Sequence, residues 1–75
     1  MLNDDILKGK WNEIKGEVKA KWGKLTDDDI TEIAGEQEKL LGILQKRYGY
    51  AQEAAEREYR DFSRDFKSRL KKHAA

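Results

Sequence analysis

Asp27, Asp28 and Asp29 stand side by side in the middle of the chain, and carboxylates in a group are the raw material of metal sites and acid–base pairs. A calcium loop, however, spaces its carboxylates at alternate positions around a central glycine and closes on a glutamate at position twelve. Consecutive aspartates at a helix start fan out around the axis and cannot converge on one ion. Capping fits them better. Thr26 with Asp29 three residues on has the pattern of a capping box, and Asp27 and Asp28 favour the positive end of a helix dipole. His73 has no partner at ligand spacing. Ser63 and Ser68 lie five apart on one helical pattern, on different faces and with no histidine near, so nucleophilic catalysis is not supported. Zero cysteines in 75 residues remove disulfides, thiolate zinc sites and cysteine nucleophiles together. No glycine-rich loop follows a strand pattern, so nucleotide fingerprints are missing. The expectation is a protein that is not an enzyme, with no cofactor, metal or small-molecule ligand.

Charge carries more information. Residues 7–25 hold six lysines against Glu13 and Glu17, while residues 26–38 hold Asp27, Asp28, Asp29, Glu32, Glu36 and Glu38 with no basic residue. Residues 57–73 are basic again, with seven Arg or Lys against Glu58, Asp61 and Asp65. Arg57, Arg60, Arg64, Lys67 and Lys71 recur at helical spacing and form a basic stripe, the footprint by which a helix contacts phosphates. The alternative is a solvated face that complements the acidic middle segment. A formal net charge of +1 weighs against nucleic acid, whose binders are strongly basic overall.

Stepwise apolar residues define the elements that carry these groups. Leu7, Trp11, Ile14, Val18, Trp22 and Leu25 fall on one stripe of an amphipathic helix at about 100° per residue. Asn3 or Asp4 is placed to cap it and Gly23 to stop it. Ile30, Ile33, Gln37, Leu40, Leu41, Leu44 and Tyr48 make a second stripe, with Lys46 and Arg47 complementing the negative end of its dipole and Gly49 as its stop. Ala55, Tyr59, Phe62, Phe66 and Leu70 make the third. The reading is all-α, a small bundle of three to four helices over about 4–22, 27–48 and 51–72. The second helix would break, if anywhere, at Gly35, although its apolar phase runs straight through and favours continuity. Residues 1–75 form a single domain with a frayed basic tail at 71–75.

A shift of 26 residues places Gly9, Gly16 and Gly23 on Gly35, Gly42 and Gly49, so all six glycines of the chain are matched. The same shift puts Leu7 on Ile33, Ile14 on Leu40 and Val18 on Leu44. This is an internal pseudo-repeat of a helix and its glycine stop. Gly9, Gly16, Gly35 and Gly42 project opposite the core stripes, where alanine would be better by ~0.8–1 kcal/mol each. They are therefore the candidate contact face for a protein partner or for self-association. Replacing all four by alanine is expected to raise the melting temperature and weaken association.

Charged residues make up 41% of the chain, and no apolar run approaches the ~18 residues of a membrane span. Met1–Asp5 lacks the basic and apolar regions of a secretory signal. Regularly spaced aromatics and zero proline argue for a folded helical domain over disorder. The stretch Gly9-Lys10-Trp11, Lys15-Gly16, Lys21-Trp22-Gly23-Lys24-Leu25-Thr26-Asp27-Asp28-Asp29, then Gly35, Leu40, Gly42 and Gln45-Lys46-Arg47-Tyr48-Gly49-Tyr50 resembles the bacterial CsbD-like family of the YjbJ type, over about residues 8–60. The resemblance implies a small cytoplasmic all-helical protein of the general stress response, built as two packed helical hairpins, with no enzymatic activity or ligand to carry over. The tail from Phe62 onward lies in the family-variable part. Two functions are expected from this: a non-enzymatic hydrophilic stress protein acting through protein contacts or as a protectant, and, as the alternative, a nucleic-acid binder using the basic stripe.

Overall fold

A computed structural model describes the backbone of residues 5–74 and the side chains of residues 7–69. Five helices follow one another: α1 (Asp5–Gly9), α2 (Trp11–Lys21), α3 (Asp27–Ile33), α4 (Gln37–Tyr48) and α5 (Gln52–Ala74). The described residues contain no strand. The expected all-α bundle is therefore present, with two of its three expected helices divided.

The first division falls at Lys10, which has φ −116° and ψ 20° and caps α2 without a side-chain hydrogen bond. Gly9, a poor helix former, immediately precedes it. One non-helical residue leaves the stripe in phase, so Leu7, Ile14 and Val18 remain on one buried seam. The second division falls at Ala34 and Gly35, both in the left-handed region, with φ of 47° and 82°. The continuity expected across Gly35 is thus corrected. Ala34 closes α3 with a hydrogen bond to the Ile30 carbonyl, and the Glu36 amide bonds Ile33 O at 2.8 Å.

The two divisions correspond in position under the 26-residue shift but not in conformation, since Gly9 ends α1 as a helical residue and Gly35 is left-handed. Lys10 and Glu36 occupy the two cap positions, and Trp11 and Gln37 open the two longer helices. They also meet in space: a Cβ on Gly35 would lie 3.2 Å from Lys8 Cα and 3.3 Å from Trp11 Cβ. The repeat unit is accordingly a short helix, a sharp turn and a longer helix.

The ends of the longer helices differ. Gly49 adopts φ 71°, and its amide closes α4 on Gln45 O, as a glycine stop should. Gly23 is not in that conformation, because α2 ends one residue earlier with Trp22 bent to φ −115° and ψ 79°. Trp22 turns inward there. Its ring is buried and meets Phe62 at 5.2 Å between centroids.

The core gathers all three stripes. Leu7, Ile14, Val18, Trp22 and Leu25 pack with Ile30, Ile33, Leu40, Leu41, Ile43 and Leu44, closed over by Ala55, Tyr59, Phe62 and Phe66 of α5. Trp11, Tyr48 and Tyr50 are half-buried at its rim. Ile43 lies off the expected stripe because α4 packs against α3 on one side and α5 on the other, which widens its buried arc. The α5 backbone is helical through Ala74, beyond the expected end at 72 and into the stretch expected to fray. The proposed caps Asn3 and Asp4, the Leu70 and Lys71 side chains and Ala75 lie outside the described residues.

Candidate functional site

Of the three adjacent aspartates, only Asp29 is buried, at 4% exposure. It serves the start of α3 in both directions of a capping box. The Asp29 amide donates to Thr26 Oγ1 at 3.1 Å, and the Thr26 amide donates to Asp29 Oδ2 at 3.0 Å. The same carboxylate receives Arg47 from the last turn of α4, Nε to Oδ2 at 2.7 Å and Nη2 to Oδ1 at 3.0 Å. Two parallel bonds from a planar guanidinium make the strongest type of side-chain ion pair. Arg47 first, then the Thr26 backbone, holds the Asp29 carboxyl at about 2, below its ordinary 3.8, against an opposing effect of burial. Asp29 in turn raises the Arg47 guanidinium above its ordinary value. Both groups are therefore fully ionised at neutral pH. An acid with so low a pKa and its lone pairs engaged makes a poor proton shuttle.

Neighbouring contacts extend this latch between α3 and α4. The Lys24 amide donates to the Tyr48 hydroxyl at 3.2 Å, and Lys24 Nζ lies 5.1 Å from the centre of the Tyr48 ring. Tyr48 stacks on Tyr50 at 5.2 Å and 10°. Partial burial raises the Tyr50 phenol above its ordinary value, assisted by Glu58 and Tyr48. Trp22 Nε1 donates to Glu58 of α5 at 3.3 Å. The strings Trp22–Asp29 and Arg47–Tyr50, separate in sequence, are thus one structural junction. The Thr26–Asp29 cap was visible in the sequence. Arg47 was assigned only to the helix dipole, because an ion pair across 18 residues has no local pattern.

Asp27 and Asp28 are exposed, and Asp27 pairs with Lys19 across the α2–α3 turn. No group of three or more His, Cys, Asp or Glu side chains suited to a metal converges among the described residues.

The glycines fall into two classes. Gly9, Gly16 and Gly42 are exposed, and a Cβ on any of them would meet nothing within 4 Å. Gly35 is buried beneath α1 and the start of α2, so it leaves the candidate contact face, and the expected common effect of four alanines divides in two. Gly16 and Gly42 lie inside helices with room for a methyl group. Each alanine there should stabilise the fold by up to about 1 kcal/mol, read as a higher urea midpoint with an unchanged slope. Gly16 also borders an open groove of about 480 Å³ with Ala20 and Ile30 on its floor and Lys15, Lys19, Asp27 and Thr31 around it. Gly9 borders a second of about 370 Å³ beside Trp11 and Ala34. The first groove does place Asp27, two lysines and the Thr31 hydroxyl around one opening, with Asp27 engaged by Lys19.

On α5, Arg57, Arg60, Arg64 and Lys67 are all exposed. Arg64 pairs with Asp61 at 3.1 Å, whereas Arg57, Arg60 and Lys67 have no ion pair among the described residues. Arg69, outside the stripe, pairs with Glu17 of α2 and lies over Phe66.

Comparison with known proteins places this architecture. Residues 5–57 match the family model described as CsbD-like, which spans α1 to α4 and the first turns of α5. The chain belongs to the CsbD-like family. It is 57% identical to a UPF0337 protein of Protochlamydia amoebophila, over 81% of this chain and 92% of that protein. A UPF0337 protein of Pseudomonas aeruginosa is 52% identical over 83% and 95% of the two chains. UPF0337 protein YjbJ of Salmonella typhimurium is 48% identical over 83% and 89%. In this CsbD-like chain the core aromatics Tyr59, Phe62 and Phe66 lie beyond the matched span, so α5 closes the bundle with residues outside it. No helix among the described residues is long and apolar enough to cross a membrane.

Proposed function

We propose that this CsbD-like chain is a small, hydrophilic, non-enzymatic stress-response protein of the cytoplasm, acting through its surface on other proteins. The observation that carries this reading is the fate of Asp29, the one buried carboxylate among the described residues. Asp29 is committed to a helix cap and an ion pair that hold the fold, which leaves function to the outside. That outside is densely charged and interrupted by exposed glycines at 9, 16 and 42. A solvated, weakly adhesive surface of this kind keeps neighbouring proteins apart under crowding and drying, whereas a catalyst needs a desolvated and converging site.

The test is protection of a drying-sensitive client enzyme. After a drying cycle the client should retain more activity with this chain than with an equal mass of an unrelated globular protein. Equal retention would overturn the reading. Arg57, Arg60 and Lys67, exposed and without an ion pair among the described residues, favour a second reading, contact with nucleic-acid phosphates, which predicts DNA affinity that falls steeply with salt.

A further inference from the structure

The charges of this protein are segregated. Segment 26–38 is acidic throughout and α5 is basic along one face, yet the whole chain carries only +1. The sequence leaves open that these two regions neutralise each other within the molecule. They do not do so among the described residues. Ion pairs there join Lys10 to Glu13, Lys19 to Asp27, Lys39 to Glu36, Arg47 to Asp29, Arg64 to Asp61 and Arg69 to Glu17, and none of them bridges the α5 stripe to segment 26–38. Asp28 and Glu32 are exposed one turn apart on α3, with Glu38 exposed at the start of α4. Arg57, Arg60 and Lys67 are exposed along about 15 Å of α5.

From this arrangement we infer that the partner of the α5 basic face is a second copy of the same chain, presenting the acidic face of its α3 and α4. The contact is head to tail. Each copy that uses its basic face still offers an acidic one, and heterologous contacts of this kind grow into rings or open chains. Near-neutral net charge lets copies approach without general repulsion, and complementary patches set their orientation. A strongly basic domain would instead favour a polyanion, and this chain lacks that excess. Exposed charge pairs are individually weak and are screened beyond about 10 Å at 0.1 M salt. The association is therefore weak, reversible and strengthened by crowding. It goes beyond the surface-acting reading above, which does not depend on it.

Sedimentation of the full chain over a concentration series tests the inference. At 1 mM protein and low salt, the weight-average mass should reach roughly twice the 8.8 kDa monomer, as open head-to-tail growth with a Kd on the order of 1 mM gives, and should return to the monomer value at high salt. The triple variant Arg57→Gln, Arg60→Gln, Lys67→Gln should stay monomeric. Lys10→Gln, Lys15→Gln, Lys21→Gln, which has the same net charge, should associate as the native chain does. Circular dichroism confirms that each variant is folded. Monomers at every concentration, or equal loss in both triple variants, would overturn the inference. So would salt-sensitive binding to labelled duplex DNA that the α5 variant loses, in a native chain that remains monomeric. Client protection measured on the same samples separates the two proposals, because a monomeric chain that still protects defeats only this one.

Discussion

Gly35→Ala should lower the stability of the fold by about 2–4 kcal/mol, seen as a lower urea midpoint at unchanged slope. Two costs combine. At φ 82° an L side chain sits in the left-handed region, where the penalty is roughly 1–2 kcal/mol. The added methyl group would also press within 3.2 Å of Lys8 Cα and 3.3 Å of Trp11 Cβ. The first is a backbone atom and the second is fixed to one, so neither can swing aside as a side-chain tip would. Overpacking of this kind costs about 1–3 kcal/mol. A core this small supplies only ~3–5 kcal/mol, so the variant should be partly unfolded near body temperature. A midpoint equal to or above that of the native chain would mean that the α3–α4 turn does not seat against α1.

The second large effect is expected at Asp29. Asp29→Ala removes the box at the head of α3 and strands the Arg47 guanidinium, for a combined loss of about 2–3 kcal/mol. Asp29→Asn isolates the charge, and its signature is pH dependence. The Asp29 carboxyl titrates at about 2 in the fold against an ordinary 3.8. A depressed carboxylate contributes its full stabilisation above its unfolded pKa and loses it as pH falls through the folded one. The native chain should thus lose about 2 kcal/mol between pH 4.5 and pH 2 through this group, a slope that Asp29→Asn flattens. The same slope in both proteins would place the acid sensitivity elsewhere.

These two positions also mark where the sequence was legible and where it was not. The apolar stripes were readable because burial imposes a helical period, and Thr26–Asp29 and Gly49 were readable because caps are local chemistry. The breaks at Lys10 and Gly35 were hidden by the same periodicity, since each turn returns the chain to the seam in phase. Joined to the 26-residue repeat, a break at Gly35 would have pointed to Gly9, one residue before the break observed at Lys10. Exposed Gly16 and buried Gly35 look alike in sequence. They differ in backbone, helical at Gly16 and left-handed at Gly35, and in what lies opposite, solvent at Gly16 and the α1–α2 turn at Gly35. The Asp29–Arg47 pair depends on how α3 and α4 fold back on each other, and no local spacing encodes that. The basic face of α5 was legible as a stripe, but that Arg57, Arg60 and Lys67 have no ion pair among the described residues was visible only after folding.

On the proposed function, the junction of Trp22–Asp29 with Arg47–Tyr50 holds the fold while function resides on the surface. Client protection by Asp29→Asn tests it most directly, at a temperature where circular dichroism shows the variant as helical as the native chain. Protection should equal that of the native chain at equal concentration of folded protein. Lost protection at full helicity would contradict it and make the Asp29–Arg47 pair part of the functional site.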